Sequence, residues 1–271
     1  MKCKNAHIIT RMGGKFYIRK WIISKFPPHH TYVEPFGGAA YVLLCKAPSK
    51  VEVYNDIDGN LVNLFEQART HTDELIEYLE SFPYSRKIHD TWLDEWKLGM
   101  KGNNDIERAA RFFYISNSSV NGRFSTFSTS ALKNNAKSFY GKLNNIRDFA
   151  NRMRNVVIEN LDFEKCIKAY DTENTLFYID PPFYNTDYYF VNFSHEDHVR
   201  LYETIKDIKG KFILSYYPHS IIMEMYGNEN FNIYKREVVK HSQLSYRKRD
   251  KATEILITNF KTQRTLCSYH K

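Results

Sequence analysis

The chain has 271 residues, 42% of them hydrophobic, which suits one large α/β domain with or without an insertion. Its formal net charge of +8 favours a polyanionic partner. It has neither a run of about 18 apolar residues nor a metal-ligand spacing among its four cysteines. We therefore expect reduced cysteines, no bound metal, no membrane span, and action in the cytoplasm of a bacterium or a phage host.

The first informative segment is Arg11-Met12-Gly13-Gly14-Lys15. Paired glycines let the backbone approach a ligand closely, and Lys15 adds a hydrogen-bond donor and a charge. A surface turn explains the same residues equally well. The apolar spacing that follows predicts one helix over residues 16–26, ended by two prolines.

A second motif follows a short strand that begins at Tyr32. Glu34-Pro35-Phe36 ends this strand, and Gly37-Gly38-Ala39-Ala40 predicts a tight turn into a helix over residues 41–45. Strand, glycine turn and helix form the type of cradle that binds nucleotides. Because the GxGxxG pattern is missing, a dinucleotide site is not indicated.

The next predicted strand, residues 51–56, ends in an acid, Asp56, before Ile57. An acid at the end of the second strand commonly binds ribose hydroxyls in such folds, so Asp56 is the predicted ribose ligand. The alternative is that Asp56 caps the N-terminus of the helix predicted over residues 59–69.

Residues 67–155 read as an insertion without a strong strand. Helices are predicted at 73–81, 90–98, 106–116 and 139–153. The segment from Lys101 to Asn155 contains ten Lys and Arg residues and three acidic residues, which gives it a net charge of 10 − 3 = +7. This asymmetry predicts a lobe that faces phosphates, with Lys133 and Lys137 among its contacts. Solvated helix faces are the alternative.

A polar loop from Asn117 to Ser130 lies inside this insertion. Polar side chains on a loop that contains glycine can reach base edges, and Arg pairs with guanine. Asn117 and Arg123 are therefore the predicted base-reading residues.

A strand predicted over residues 156–159 is followed by Leu161-Asp162-Phe163, which we expect to border the adenine of a cofactor. The apolar run from Leu176 to Ile179 predicts a strand buried on both faces of a parallel sheet. Asp180-Pro181-Pro182-Phe183 ends it, because proline cannot donate to a sheet ladder.

This tetrapeptide can clamp a planar group that carries an amine. The Asp180 carboxylate and the Pro181 carbonyl would accept two N–H bonds, and the Phe183 ring would stack on the planar face. The alternative is an ordinary turn, with Asp180 exposed and Phe183 in the core.

The C-terminal part predicts a helix over 194–208 capped by Ser194, a strand over 211–216, and a hairpin of residues 231–239 and 253–260. Seven strands are then predicted in all. The hairpin connection carries Arg247-Lys248-Arg249, which would grip a duplex or form a disordered charged loop.

In this order, the motifs resemble those of the DNA adenine methylase family, the adenine-specific DNA N6-methyltransferases of the GATC type with their phage members. The resemblance spans nearly the whole chain. Asp180-Pro181-Pro182-Phe183 resembles the catalytic Asp-Pro-Pro-Tyr/Phe motif of that family. Phenylalanine in the fourth position keeps the ring that stacks on the target base.

The resemblance implies a Rossmann-like α/β fold, a seven-stranded methyltransferase sheet. Residues 1–66 and 156–271 would form the catalytic domain, and the mainly helical region 67–155 would recognise the DNA target. It also implies that S-adenosyl-L-methionine (AdoMet) is the cofactor. The residues expected to hold it are Arg11, Met12, Gly14, Lys15, Glu34, Phe36, Gly37, Asp56, Ile57, Asp162 and Asp180.

The implied substrate is an adenine flipped out of double-stranded DNA, since a base inside a duplex cannot reach such a clamp. We expect a monomer in solution and leave a dimer on DNA open. The loop over 117–130 departs from that of the GATC enzymes, so the target sequence stays open.

Three alternative activities remain compatible with the sequence. A cytosine-N4 methyltransferase would use the same clamp, commonly with Ser in place of Asp180. A protein glutamine methyltransferase typically shows Asn-Pro-Pro-Tyr. A DNA-binding module without catalysis would keep the basic lobe and lose the clamp or the glycine turn, and both are present here.

Overall fold

A computed structural model describes residues 6–11, 13–184, 193–239 and 251–262. Seven strands form one sheet. Their bounds are β1 Thr31–Glu34, β2 Val51–Asn55, β3 Val156–Glu159, β4 Thr175–Ile179, β5 Lys211–Tyr216, β6 Asn232–Val239 and β7 Lys251–Thr258.

The strand order is β3-β2-β1-β4-β5-β7-β6. Strands β1 to β5 pair in parallel, whereas β7 pairs antiparallel with both β5 and β6. From β1 the chain proceeds outward through β2 and β3, and then returns to add β4 on the other side of β1. The β1–β4 boundary is therefore a topological switch point, where open α/β sheets bind ligands.

Ten α-helices accompany the sheet in the described residues. Their bounds are α1 Arg19–Ile23, α2 Gly59–Thr70, α3 Thr72–Glu80, α4 Arg86–Lys97, α5 Asp105–Ser118, α6 Asn135–Asn144, α7 Ile146–Met153, α8 Phe163–Tyr170, α9 His195–Ile205 and α10 Ser220–Tyr226. A single 3-10 turn, Val120–Gly122, follows α5.

Two hydrophobic clusters pack against the sheet. One extends from sheet residues such as Tyr32 and Tyr54 through Phe65 of α2 into the insertion, where Phe113 and Phe149 are fully buried. The other joins β4, β5 and β7 to α8, α9 and α10. Helices α2–α7 therefore share a core with the sheet, while the division of the chain into a catalytic and a DNA-reading region stays a prediction.

The seven predicted strands and the α/β class are confirmed. Ser194 caps α9 in a capping box with Asp197, as its sequence position predicts. The helix predicted over 139–153 is two helices that meet at Asn145. The helix predicted over 16–26 covers only Arg19–Ile23.

Other expectations were wrong or incomplete. Residues 41–45 form turns instead of a helix. Helices α8 and α10 were not predicted. Cys45 is disulfide-bonded, which contradicts the expectation of four reduced cysteines, and Cys166 is a free, buried cysteine.

Candidate active site

A cavity opens at the switch point, where the carboxyl ends of β1 and β4 lie side by side. Every predicted cofactor residue that the structure describes lines this cavity; Met12 lies outside the described residues. The set is Arg11, Gly14, Lys15, Glu34, Phe36, Gly37, Asp56, Ile57, Asp162 and Asp180. The fold thus gathers residues that are more than 160 positions apart in the chain, although which of them bind a cofactor stays a prediction.

The glycine turn after β1 is packed against β2. A Cβ atom on Gly37 would overlap the ring of Tyr54, so only glycine fits at that position. The Tyr54 hydroxyl donates to the Gly38 carbonyl at 2.8 Å, and the Gly38 N–H donates to Asp56 Oδ2 at 2.8 Å. Gly38 has φ +50°, a conformation that favours glycine. The turn therefore offers backbone, without side chains, to the cavity.

Asp56 does not cap a helix. Its Oδ1 accepts the backbone N–H of Asp58 at 2.9 Å, and Asp58 is the N-cap of α2, accepting from the Asn60 N–H. Asp56 is buried, and burial raises the pKa of its carboxyl group, against the opposing effects of Arg11 and two backbone N–H donors. The capping alternative is thereby excluded, while the ribose role stays a prediction.

Asp180 follows β4 directly and points into the cavity. Its side chain is 17% exposed, and its Oδ1 lies 2.7 Å from Lys15 Nζ. Burial raises the pKa of Asp180 to about 6, although Lys15 opposes the shift. The alternative of an exposed Asp180 in an ordinary turn is therefore wrong.

The rest of the tetrapeptide is less open than predicted. Pro182 lines the cavity, whereas Phe183 is only 5% exposed. The Phe183 ring packs edge-on against Tyr217 at a centroid distance of 4.6 Å, and Lys15 Nζ lies 4.3 Å from its centroid. In this conformation Phe183 is a core residue, as the alternative of an ordinary turn predicted. For Phe183 to stack on a base, Lys15 would have to leave the ring.

Asp162 is held within the protein. Its side chain caps α8 by accepting from the Glu164 N–H, and Arg200 pairs with both carboxylate oxygens at 2.9 and 3.0 Å. Beside it, Phe36 stacks on Phe163 at a centroid distance of 5.2 Å. Phe193 adds a third ring, so the cavity has an aromatic wall next to Asp162.

Sequence reasoning named Phe36 and Phe163 but missed Phe193, the third ring of the aromatic wall, and Glu254. The helix that carries Phe163 could also have been found, since a capping Asp162 followed by an apolar residue predicts a helix that begins there. Glu254 carried no such signal. It lies on β7, is 4% exposed, accepts from the Ser215 hydroxyl at 2.8 Å, and comes within 3.6 Å of Lys15 Nζ.

The two predicted base-reading residues have different surroundings. Arg123 is exposed and lines the cavity. Asn117 is turned inward, because its Nδ2 donates to the Ile8 carbonyl and its Oδ1 accepts from Lys142 Nζ, both at 2.8 Å. The Asn117 amide therefore ties the N-terminal segment to the insertion, and this corrects its predicted use as a base reader in the structure described.

At least five of the ten cations between Lys101 and Asn155 form ion pairs or hydrogen bonds with other side chains. Arg108 pairs with Asp105, and Arg111 pairs with Glu107 and Glu95. Lys142 donates to Thr10 and Asn117. Arg147 pairs with Asp73, and Arg152 pairs with Glu52. Three of these acids, Glu52, Asp73 and Glu95, lie outside the counted window. The surplus available to phosphates is therefore smaller than the sequence count of +7.

Lys133 and Lys137 are exposed, as a phosphate-binding role requires. Arg247, Lys248 and Arg249 lie outside the described residues. Within the described ranges, no helix has the length and apolarity to cross a membrane. The same part of the chain contains no group of three or more His, Cys, Asp or Glu side chains arranged to hold a metal ion.

The chain is similar to known DNA methyltransferases. A family model described as D12 class N6 adenine-specific DNA methyltransferase matches residues 12–242. The type II methyltransferase M1.LlaDCHI of Lactococcus lactis subsp. cremoris is 30% identical, over 92% of this chain and 93% of that protein. The type II methyltransferase M.CviBI of Paramecium bursaria Chlorella virus NC1A is 23% identical over 85% and 90%. A DNA adenine methylase of Haemophilus influenzae is 27% identical over 67% and 65%.

Proposed function

Since the chain belongs to the D12 class of N6 adenine-specific DNA methyltransferases, we propose that it uses AdoMet to methylate adenine N6 in double-stranded DNA. The observation that carries the proposal is the position of Asp180. It follows β4 at the switch point, in the same cavity as the glycine turn that follows the neighbouring strand β1. A cofactor held by that turn and a base held by Asp180 would therefore meet.

The donors and acceptors of the cavity suit AdoMet. Glu34 and Asp56 offer acceptors for an ammonium group and ribose hydroxyls, and Arg11 offers donors for a carboxylate. The aromatic wall and the half-exposed Ile57 provide apolar faces for an adenine ring. Because Asp162 is occupied by Arg200, the adenine would be bordered by the ring of Phe163 more than by the Asp162 carboxylate.

When bound, AdoMet supplies a methyl group on a sulfonium centre, which leaves as a neutral thioether. The chain's residues have to activate the nucleophile. The exocyclic amine of adenine is a poor nucleophile, because its lone pair is delocalised into the ring. Hydrogen bonds from this amine to the Asp180 carboxylate and the Pro181 carbonyl would favour a pyramidal nitrogen and aim its lone pair at the methyl group.

The methylated amine has to lose a proton as the new C–N bond forms. Asp180 is the acceptor closest to the amine in this arrangement, and it passes the proton on to solvent. Asp180 can act only when it is ionised, and its pKa of about 6 leaves most of it ionised at pH 7. No covalent enzyme intermediate is required.

The target base has to leave the helix to reach Asp180, which lies in a cavity and not on the protein surface. We propose that the base stacks on Phe183 once Lys15 has left that ring. Arg123, beside the cavity, is the proposed base-reading residue, and Lys133 and Lys137 are proposed to bind phosphates. Arg247, Lys248 and Arg249 stay proposed phosphate contacts from sequence alone.

The test is transfer of a radioactive methyl group from AdoMet to duplex DNA, followed by nucleoside analysis. The proposal expects label in N6-methyl-2′-deoxyadenosine. Label in N4-methyl-2′-deoxycytidine, label in protein, or binding of DNA without transfer would identify the three alternatives in turn.

A further inference from the structure

The amine subsite of Asp180 is occupied by a group of the protein itself. Lys15 Nζ lies 2.7 Å from Asp180 Oδ1 and 4.3 Å from the centroid of Phe183. These are the two contacts that the proposed function asks of the target amine and its base: donation to the Asp180 carboxylate and stacking on the Phe183 ring. Lys15 is 5% exposed, so it cannot leave simply by turning into water.

A second acid, Glu254, lies beside Lys15. Glu254 Oε1 lies 3.6 Å from Lys15 Nζ, which is close enough for an ion pair and longer than a hydrogen bond. The Ser215 hydroxyl donates to the same oxygen at 2.8 Å and fixes it in place. A movement of Nζ by about 1 Å toward Glu254 would give Lys15 a hydrogen bond there, and a larger movement in the same direction would release Asp180.

Resting on the proposed function, we propose that Lys15 is a positioning residue that holds the Asp180 subsite until the base arrives and then moves to Glu254. A buried ammonium group needs a partner at every stage, and Glu254 supplies the second one. The target amine then takes the place that Lys15 leaves, on an Asp180 already oriented toward the cavity.

The charges around Asp180 give the inference a signature. The charged and titratable groups that face Asp180 are Lys15, Glu254, Glu34, Tyr178 and Tyr217. Lys15 lowers the pKa of Asp180 and Glu254 raises it. In a plot of the methyl-transfer rate against pH, the acid limb is the fall in rate as Asp180 becomes protonated. Loss of Lys15 and loss of Glu254 should therefore move this acid limb in opposite directions along the pH axis, which loss of packing alone would not do.

The experiment measures single-turnover methyl transfer between pH 5 and 9, at saturating AdoMet and DNA. In Lys15→Met we expect the acid limb about one pH unit higher than in the wild type. In Glu254→Gln we expect the acid limb at a lower pH than in the wild type. Above pH 8 the rate of this variant should be at least tenfold below that of the wild type, because Lys15 keeps its place on Asp180. The KM for AdoMet should stay within about twofold of wild type in Glu254→Gln. The double variant should have its limb between those of the two single variants.

Controls separate this inference from the proposed function. Lys20→Met, on the exposed side of α1, should match the wild type. Lys15→Arg keeps the charge and should leave the acid limb near its wild-type position, whereas Lys15→Gln removes the charge and replaces Lys15→Met if that variant does not fold. A wild type that transfers no methyl group refutes the proposed function. An active wild type, with limbs that stay fixed or move in the same direction in both variants, refutes the role of Lys15 and Glu254 alone.

Discussion

The Oδ2 atom of Asp56 accepts the backbone N–H of Gly38 at 2.8 Å, so the acid after β2 fixes the glycine turn after β1. Its other oxygen accepts from Asp58 at the start of α2. Asp56 therefore organises the cavity wall, in addition to any hydroxyl that it binds, since a carboxylate has about four acceptor positions.

Asp56→Ala should weaken AdoMet binding about ten- to a hundredfold. The physical reason is the loss of a charge-assisted hydrogen bond, worth roughly 1.5–3 kcal/mol. DNA affinity should change little, because the predicted DNA contacts lie on the insertion. Calorimetry with AdoMet and a separate DNA titration provide the two numbers.

Asp58→Ala is the matched control for Asp56→Ala. It removes the N-cap of α2 and the ion pair with Arg11, while Asp56 keeps its bond to Gly38. It should lower thermal stability and affect AdoMet affinity less. Equal AdoMet affinity in Asp56→Ala and the wild type would assign Asp56 a purely structural role.

Asp180→Ala should abolish methyl transfer while the protein stays folded. The variant loses the acceptor that orients the target amine, and the loss of one such group costs about 2.7–4 kcal/mol of transition-state stabilisation in a comparable case. Lys15 keeps a partner in Glu254, so we expect no large loss of stability. Single-turnover rates and thermal melting check the two statements, and turnover close to wild type would rule out the clamp.

The two motifs at the switch point were predictable because local chemistry defines them. Pro181 and Pro182 end the strand β4 in any surroundings, because proline cannot donate to a sheet ladder. Gly37 indicates a tight turn at a position where a side chain would overlap Tyr54. The contact between Lys15 and Asp180 was not predictable in this way. It depends on how two segments 165 residues apart cross, and the sequence pattern placed Lys15 with the cofactor instead.

The insertion shows the same limit for charge. A count within Lys101–Asn155 treats every cation as available, but Arg152 pairs with Glu52 and Arg147 with Asp73. These acids are distant in sequence and become neighbours only through the packing of α7. Asn117 was misassigned for a similar reason, because its partner Ile8 is 109 residues away.

Glu34 predicts a pH dependence of stability. Burial raises the pKa of this carboxyl group from 4.5 to about 8, although the Tyr32 hydroxyl, which donates to Oε1 at 2.7 Å, opposes the shift. Between these two values the native state retains a proton that the unfolded chain releases. Stability from Glu34 is therefore present below about pH 4.5 and is lost as the pH rises toward 8, by at most about 1.4 kcal/mol per unit.

Glu34→Gln removes this titration and keeps an oxygen for Tyr32. Urea unfolding of the cofactor-free protein at pH 5.5, 6.5, 7.5 and 8.5 should show a steeper fall in the free energy of unfolding for the wild type than for the variant. Parallel curves would mean that Glu34 is ionised in the native state at neutral pH.

The last prediction concerns the cations that the insertion leaves exposed. Lys133→Ala and Lys137→Ala should each weaken DNA binding on all sequences alike. Each phosphate contact that is lost should reduce the slope of log affinity against log salt by about 0.9. Arg123→Ala should instead narrow the difference between target and non-target duplexes, by roughly 1–3 kcal/mol. DNA affinity measured against salt on both duplexes separates the two effects.

Lys206→Ala is the control, since this lysine caps the C-terminus of α9, outside the insertion, and should leave the slope unchanged. Asn117→Ala provides a second contrast. Because its amide bonds to Ile8 and Lys142, the variant should lose thermal stability before it loses sequence preference. If the Lys133, Lys137 and Arg123 variants all keep the wild-type slope and preference, the insertion does not read DNA. DNA recognition would then be assigned to Arg247, Lys248 and Arg249, which lie outside the described residues.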